Sequence, residues 1–243
     1  MNKKINVFTL MFFVFCSLLI IASCKKKDSS YSVNYQYQYY PLDSNHYVTY
    51  RVDSIFYSYN GNYTRDTISY DWMVLISDST YYDNSNRLTN ILECYRRPDS
   101  TYAWNIDRRW SANRTLTNIQ VVEDDLRFIK LIFPPQLNAS WNGNLYITTI
   151  APYDVFAGWN YTYTNMDTSF ILNGVTYDHA LVVSEVDNEN LIQKTLRREA
   201  YVQGIGMIYQ EWEALSKQNI NTDWNTGPEN GFRIRMRATG HYP

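Results

Sequence analysis

Cysteine, histidine and charge are all scarce in this sequence. Among 243 residues there are three cysteines and three histidines, and charged residues make up 19% of the chain, with a formal net charge of −2. So few thiols and imidazoles leave little material for a zinc centre. So small a net charge creates no field that would attract a nucleic acid. We therefore expect no metal, no cofactor and no nucleic-acid partner.

Catalytic motifs are missing as well. The chain contains no Gly-x-Ser-x-Gly elbow, no His-Glu-x-x-His sequence and no phosphate-binding glycine loop. Glu211 and Glu213 would lie on one strand face about 7 Å apart, within the range of glycosidase carboxylates. Two acids on one strand are more often a solvated face. The sequence predicts that the protein is not an enzyme.

No segment shows a sustained helical period of apolar residues, and the composition favours strands instead. The chain has 23 tyrosines and seven tryptophans, and aromatic side chains pack well on a pleated surface. Residues 47–57 and 232–238 alternate apolar with polar side chains, which is the period of a strand.

Turn signals divide the chain regularly. Four of the nine glycines follow asparagine, and Asn-Gly suits a two-residue hairpin turn. We predict hairpin tips at Asn60-Gly61, Asn142-Gly143 and Asn173-Gly174, and a strand at residues 144–151 among others. The expected fold is all-β: an antiparallel meander of about ten to twelve strands that forms one domain over residues 41–243. Either a lipocalin-like β-barrel or a sandwich would satisfy this pattern.

The first 23 residues have the layout of an export signal. A short basic start at Lys3 and Lys4 precedes a nearly continuous apolar run from Ile5 to Ile21. The run ends in Ile-Ala-Ser followed by Cys24, which resembles a bacterial lipobox. The resemblance implies that residues 1–23 are a lipoprotein signal peptide and that Cys24 carries the lipid. A retained membrane helix and a plain signal peptide are the alternatives.

Residues 24–40 are predicted to be a lipidated tether between Cys24 and the domain. Lys25, Lys26 and Lys27 would lie beside phospholipid headgroups, and the tyrosine-rich stretch that follows could also join the domain as an edge strand. Cys94 would then be the lone thiol of the mature chain, which excludes an intramolecular disulfide.

Several phrases in the chain resemble uncharacterised outer-membrane lipoproteins of Bacteroidetes. They are Tyr40-Pro41-Leu42, Lys130 to Pro134, Ser140 to Asn144, and Tyr201 followed by Gly204 to Glu211. The resemblance implies an outer-membrane or envelope location and no particular activity. Lysine after the lipidated cysteine resembles outer-membrane sorting, and we expect a periplasm-facing protein rather than a surface-exposed one.

The resemblance to Bacteroidetes envelope proteins also implies O-glycosylation. Proteins of such envelopes carry glycans on Asp-Ser or Asp-Thr followed by an apolar residue or threonine. Four places look similar, namely Asp53-Ser54, Asp66-Thr67, Asp78-Ser79 and Asp99-Ser100.

Two groups of residues are candidates for binding. Arg233, Arg235 and Arg237 would present three guanidinium groups on one strand face, able to bind carboxylates or phosphates. Trp141 and Trp159 could stack on sugar rings, although core packing explains aromatic residues equally well. The leading hypothesis is a non-catalytic, lipid-anchored envelope protein that acts through its surface or as an accessory subunit. The alternative is a barrel that binds a glycan or a small apolar ligand.

Overall fold

The computed structural model describes residues 33–242, which form twelve β-strands and two short 3-10 turns. The strands are β1 Tyr47–Tyr59, β2 Tyr63–Tyr82, β3 Leu88–Arg97, β4 Asn105–Arg114, β5 Asn118–Glu123, β6 Leu126–Ile132, β7 Ser140–Trp141, β8 Tyr161–Leu172, β9 Val175–Glu189, β10 Gln193–Val202, β11 Gly206–Ser216 and β12 Asn230–Tyr242. The 3-10 turns are Tyr37–Tyr39 and Asp154–Phe156. Within residues 33–242, no helix is long and apolar enough to cross a membrane.

All twelve strands belong to one antiparallel sheet. Its order is β6-β5-β4-β3-β2-β1-β12-β11-β10-β9-β8-β7, so two meanders meet where the first strand pairs with the last. Tyr47 lies opposite Tyr242 in that central pair. The prediction of an all-β antiparallel meander is confirmed.

The two edges of the sheet approach each other, so the sheet forms a nearly closed barrel. The amide of Ile129 on β6 donates to the carbonyl of Gly143 (2.8 Å), just after β7. The indole Nε1 of Trp141 donates to the carbonyl of Ile129 (2.8 Å). The hydroxyl of Tyr163 on β8 donates to the carbonyl of Ile132 (2.7 Å) and accepts from its amide (2.8 Å). These bonds satisfy polar groups that an open edge would leave unpaired, and they decide between barrel and sandwich.

The Asn-Gly predictions are right at two places and wrong at one. Asn173 and Gly174 have φ of 51° and 80° at the tip of the β8–β9 hairpin, and Gly61 has φ of 84° between β1 and β2. Gly143 is not a hairpin tip, and residues 144–151 form turns and bends where a strand was predicted. The reason is packing, since a Cβ at Gly143 would come within 2.4 Å of the Tyr161 ring. That glycine allows a close approach of the Tyr161 ring and does not mark a hairpin tip.

The N-terminal segment, residues 34–46, lies against one end of the barrel. Tyr39 is 1% exposed and packs in the core. The amide of Gly204 donates to the carbonyl of Gln38 (2.9 Å), and Nε2 of His46 lies 2.8 Å from the carbonyl of Ile205. The compact unit therefore begins at Asn34, with part of the predicted tether packed against the sheet as a 3-10 turn. We call the end of the barrel that this segment covers the capped end.

Candidate functional site

Five charged side chains meet inside the barrel and form what we call the internal ion cluster. They are Glu123, Lys130, Glu185, Arg197 and Glu199. Nζ of Lys130 lies 2.8 Å from Glu199, 3.1 Å from Glu123 and 3.7 Å from Glu185. All except Glu123 are buried. Burying charge is costly unless it is paired, so this concentration of ions in the core is a candidate functional site.

Strand geometry brings these residues together from both halves of the sheet. Glu123 and Lys130 come from the β5–β6 pair, next to one edge. Arg197 and Glu199 are two residues apart on β10, so they point to the same face. Glu185 has no partner on β10, because the register passes from Val186 directly to Ser184. That β-bulge directs an extra carboxylate towards the cluster.

The charges in the cluster do not balance when all five groups are ionised. Three carboxylates face two cations, and Glu185 is the worst supported of the three. Neither of its oxygens has a hydrogen bond within the described residues, and its side chain is fully buried. Arg197 Nε lies 3.2 Å from it without the geometry of a hydrogen bond. Burial raises the pKa of Glu185 to about 7, against the opposing attraction of Arg197.

Glu199 has the opposite behaviour in the same cluster. Burial alone would raise its pKa, but the charges of Lys130 and Arg197 and hydrogen bonds from Lys130 and Tyr201 lower it to about 2. Gln210 adds a further donor at 2.7 Å. When Glu185 holds a proton, two carboxylates remain to face the two cations. The arrangement is therefore a buried ion network whose charges balance only when Glu185, whose oxygens lack hydrogen bonds within the described residues, is protonated.

A cavity beside the ion cluster has a volume of about 70 Å³. The N-terminal segment covers it, since Tyr40 and Pro41 are among its lining residues together with Tyr50, Trp110, Lys130 and Tyr201. Pockets that bury drug-sized ligands measure roughly 300–1,000 Å³. The cavity can hold a few water molecules but no sugar ring or acyl chain.

The three candidate arginines on β12 are engaged with carboxylates of neighbouring strands. Arg233 bonds to Glu213, Nε of Arg235 donates to Glu211 (2.7 Å), and Nη1 of Arg237 donates to Asp53 (2.7 Å). These contacts form an ion-pair ladder across the sheet. They also engage Glu211 and Glu213, the two acids of the candidate glycosidase pair. An external anion would have to compete with these carboxylates. A binding role for the arginines stays a prediction.

A folded-back hairpin partly covers the ladder. The Phe170 ring on β8 lies 5.6 Å from the Tyr209 ring on β11, although β9 and β10 separate these strands in the sheet order. The distal part of the β8–β9 hairpin must therefore lie over the sheet face, beside Arg198 and Arg237. Asp167 and His179, both with positive φ, are where the hairpin departs from regular geometry.

The two candidate tryptophans lie near the seam of the barrel, several strands away from the arginine ladder. Trp159 is 5% exposed and packs edge-on against Phe156, with ring centroids 5.2 Å apart. Trp141 packs against Tyr163 at 4.6 Å while its indole nitrogen closes the seam. Both rings thus contribute to the core and to closure. Their proposed stacking on sugars stays a prediction.

Cys24 lies outside the described residues, so its lipidation is a matter for the next subsection. Among the glycosylation candidates, Ser54 is 4% exposed, and its neighbour Asp53 binds Arg237. A glycan cannot be attached there in the folded protein. Thr67, Ser79 and Ser100 are exposed. Within the part of the chain that the structure describes, no group of three His, Cys, Asp or Glu side chains could hold a metal ion.

The ion cluster was not predicted, although the sequence carries a signal for it. Lys130 stands inside Phe-Ile-Lys-Leu-Ile, and Glu185 follows Leu-Val-Val-Ser. A single charge within an apolar strand either marks an outer face or has a buried partner. Sequence alone does not pair residues 69 positions apart, as Lys130 and Glu199 are.

Comparison with known proteins finds likeness to solved structures. No family model and no curated protein matches the chain. A crystal structure of a "putative exported protein with YmcC-like fold" from Bacteroides fragilis is similar at a TM-score of 0.40 and 8% sequence identity, over 84% of this chain and 98% of that one. That description applies to the Bacteroides protein. At this level of similarity it carries no argument about this chain.

Proposed function

We propose that this protein is an exported, lipid-anchored component of the bacterial cell envelope that acts through its outer surface and performs no catalysis. The observation that carries the proposal is the filled interior of the barrel. Ion pairs, tyrosines and aliphatic side chains occupy it, and a cavity of about 70 Å³ lies beneath the N-terminal segment. Because the interior is filled, we assign the interactions of the protein to its outer surface.

The anchor is proposed from the sequence. A basic start, an apolar run and Ile-Ala-Ser-Cys precede a polar stretch that begins with three lysines. Lipid on Cys24 would hold the domain stably, because two or more acyl chains give lasting membrane attachment where a single chain does not. We place the protein at the outer membrane, facing the periplasm, with an envelope protein or a glycan as its partner.

The anchor is tested by replacing Cys24 with alanine. Radiolabelled palmitate should label the wild type and leave Cys24→Ala unlabelled. Cys16→Ala is the matched control, since this cysteine lies within the proposed leader and its loss should leave the label unchanged. Equal labelling of Cys24→Ala and wild type would overturn the anchor.

Action through the surface is tested by purification from detergent-solubilised membranes. We expect one envelope protein to co-purify at constant stoichiometry over successive steps, as identified by mass spectrometry. A bound sugar or lipid recovered from the denatured protein, with no co-purifying protein, would favour the ligand-binding alternative. For that alternative the residues of the N-terminal segment that cover the cavity would have to move.

A further inference from the structure

The capped end of the barrel is the end from which the chain before Asn34 departs. The N-terminal segment is fixed there at several points. The hydroxyl of Tyr37 donates to the carbonyl of Leu116 (2.9 Å), and Gln38 and His46 are bonded to the β10–β11 turn. Any attachment carried by the residues before Asn34 therefore acts on this end.

The same end exposes aliphatic side chains beside tyrosine rings. Leu116, in the β4–β5 turn, is 72% exposed, and Leu137, in the loop after β6, is 56% exposed. That loop is tied to the turn, because the amide of Phe133 donates to the carbonyl of Thr117 (2.7 Å). Tyr37 packs edge-on against Phe133 with ring centroids 4.9 Å apart.

Two further features of the capped end suit an interface between water and lipid. The rings of Tyr35 and Tyr37 are stacked at 5.3 Å, and the exposed guanidinium of Arg114 lies 4.7 Å from the Tyr37 ring centroid. Tyrosine is enriched at the headgroup level of bilayers. Arginine can place its aliphatic stem along apolar surface and its charge among phosphates.

We propose that the capped end is the membrane-facing end of the protein, and that Leu116 and Leu137 insert into the bilayer interface. This inference rests on the proposed lipidation of Cys24. The ten residues from Cys24 to Asn34 span at most about 35 Å when fully extended. The anchor thus confines the capped end near the lipid surface, where even weak insertion of two side chains is favoured by the high effective concentration.

The experiment uses the full, lipidated chain reconstituted into vesicles of phosphatidylethanolamine and phosphatidylglycerol that contain doxyl-labelled lipid. A bimane fluorophore is attached at Leu116→Cys or, as a matched control, at Tyr102→Cys. Tyr102 is 57% exposed and lies in the turn before β4, whereas Leu116 lies in the turn after it. The ten residues of β4 separate the two turns by about 33 Å.

The native thiol does not interfere with this labelling. Cys94 is fully buried, and burial raises the pKa of its thiol well above the usual range. A maleimide or bimane reagent therefore reacts with the introduced cysteine in the folded protein. Circular dichroism of each labelled variant checks that the fold is retained.

We expect doxyl lipid to quench bimane at position 116 and to leave position 102 unquenched. Leu137→Glu, introduced into the protein labelled at 116, should reduce that quenching, because a carboxylate beside the probe resists entry into the interface. Equal quenching at both positions, or at neither, would overturn the inference while vesicle sedimentation still reports an intact anchor. A wild-type protein that takes up no palmitate label would instead refute the proposed lipidation.

Discussion

Glu185 is a fully buried acid whose oxygens lack hydrogen bonds within the described residues. It lies on a bulge of β9, fully buried, with two cations shared among three carboxylates. Retaining its proton brings the internal ion cluster to neutrality. Burial therefore lets this acid keep its proton to a higher pH than an exposed glutamate does.

This protonation predicts how stability depends on pH. The pKa of Glu185 is raised from 4.5 to about 7 in the folded state. The stability it contributes is therefore complete below pH 4.5 and is lost as the pH rises towards 7. Between pH 5 and pH 8, the free energy of unfolding of the wild type should fall relative to Glu185→Gln by up to about 3 kcal/mol. Urea unfolding of both proteins at the two pH values measures the difference.

The other strongly shifted carboxyl group of the cluster titrates outside this pH range. Glu199 has a lowered pKa of about 2, so its contribution is present above pH 4.5 and is lost only as the pH falls towards 2, outside the measured window. Glu189→Gln on the same strand is the control, because its side chain is 50% exposed and should leave the pH dependence as in the wild type. Parallel pH profiles for wild type and Glu185→Gln would refute the assignment.

At the scale of elements, the hairpins show how far sequence predicts structure. Alternation at residues 47–57 and 232–238 located β1 and β12, and the Asn-Gly pairs at 60–61 and 173–174 located two hairpins, because both signals are local. The hairpin tip predicted at Asn142-Gly143 was wrong. The ring of Tyr161, eighteen residues later in the chain, leaves no room for a side chain at this position, and no local rule distinguishes such a glycine from one at a hairpin tip.

The candidate binding residues likewise show that sequence predicts local patterns but not the pairing between strands. The alternation of β12 correctly put its three arginines on one strand face, but their carboxylate partners come from β11 and β1. Likewise, the internal ion cluster joins β5 and β6 to β9 and β10 across the barrel. Pairings of this kind depend on sheet order and register, which composition and spacing do not determine.

At the scale of the whole molecule, the folded body includes residues that the sequence assigned to a tether. Tyr39 is 1% exposed, and Tyr40 lines the cavity. The sequence of the tyrosine-rich stretch fits an edge strand and a disordered chain equally well. Its structure depends on contacts with residues far along the chain, which the sequence does not reveal. In the part that the structure describes, from residue 33 onwards, it forms no strand, and Tyr37–Tyr39 make a 3-10 turn against the end of the barrel.

This packing predicts that residues 34–40 stabilise the domain. A version of the domain that begins at Pro41 should be less stable than one that begins at Asn34 by at least about 3 kcal/mol, the usual cost of removing one buried aromatic side chain. The midpoint of urea unfolding, followed by tryptophan fluorescence, measures the difference. Identical midpoints would mean that the segment contributes nothing to the folded state.

The pairing of Tyr47 with Tyr242 has a practical consequence for anyone who detects or immobilises the protein. An affinity tag added at the end of β12 would lie next to the N-terminal segment, at the capped end that we propose touches lipid. Antibodies would be hindered there, and the tag could disturb the contact with lipid. An epitope inserted at the exposed Asn60-Gly61 turn would instead project from the opposite side. Antibody access to the two positions, compared between intact cells and spheroplasts, would then show which side of the outer membrane the protein occupies. The epitope at Asn60-Gly61 would leave the capped end unmodified.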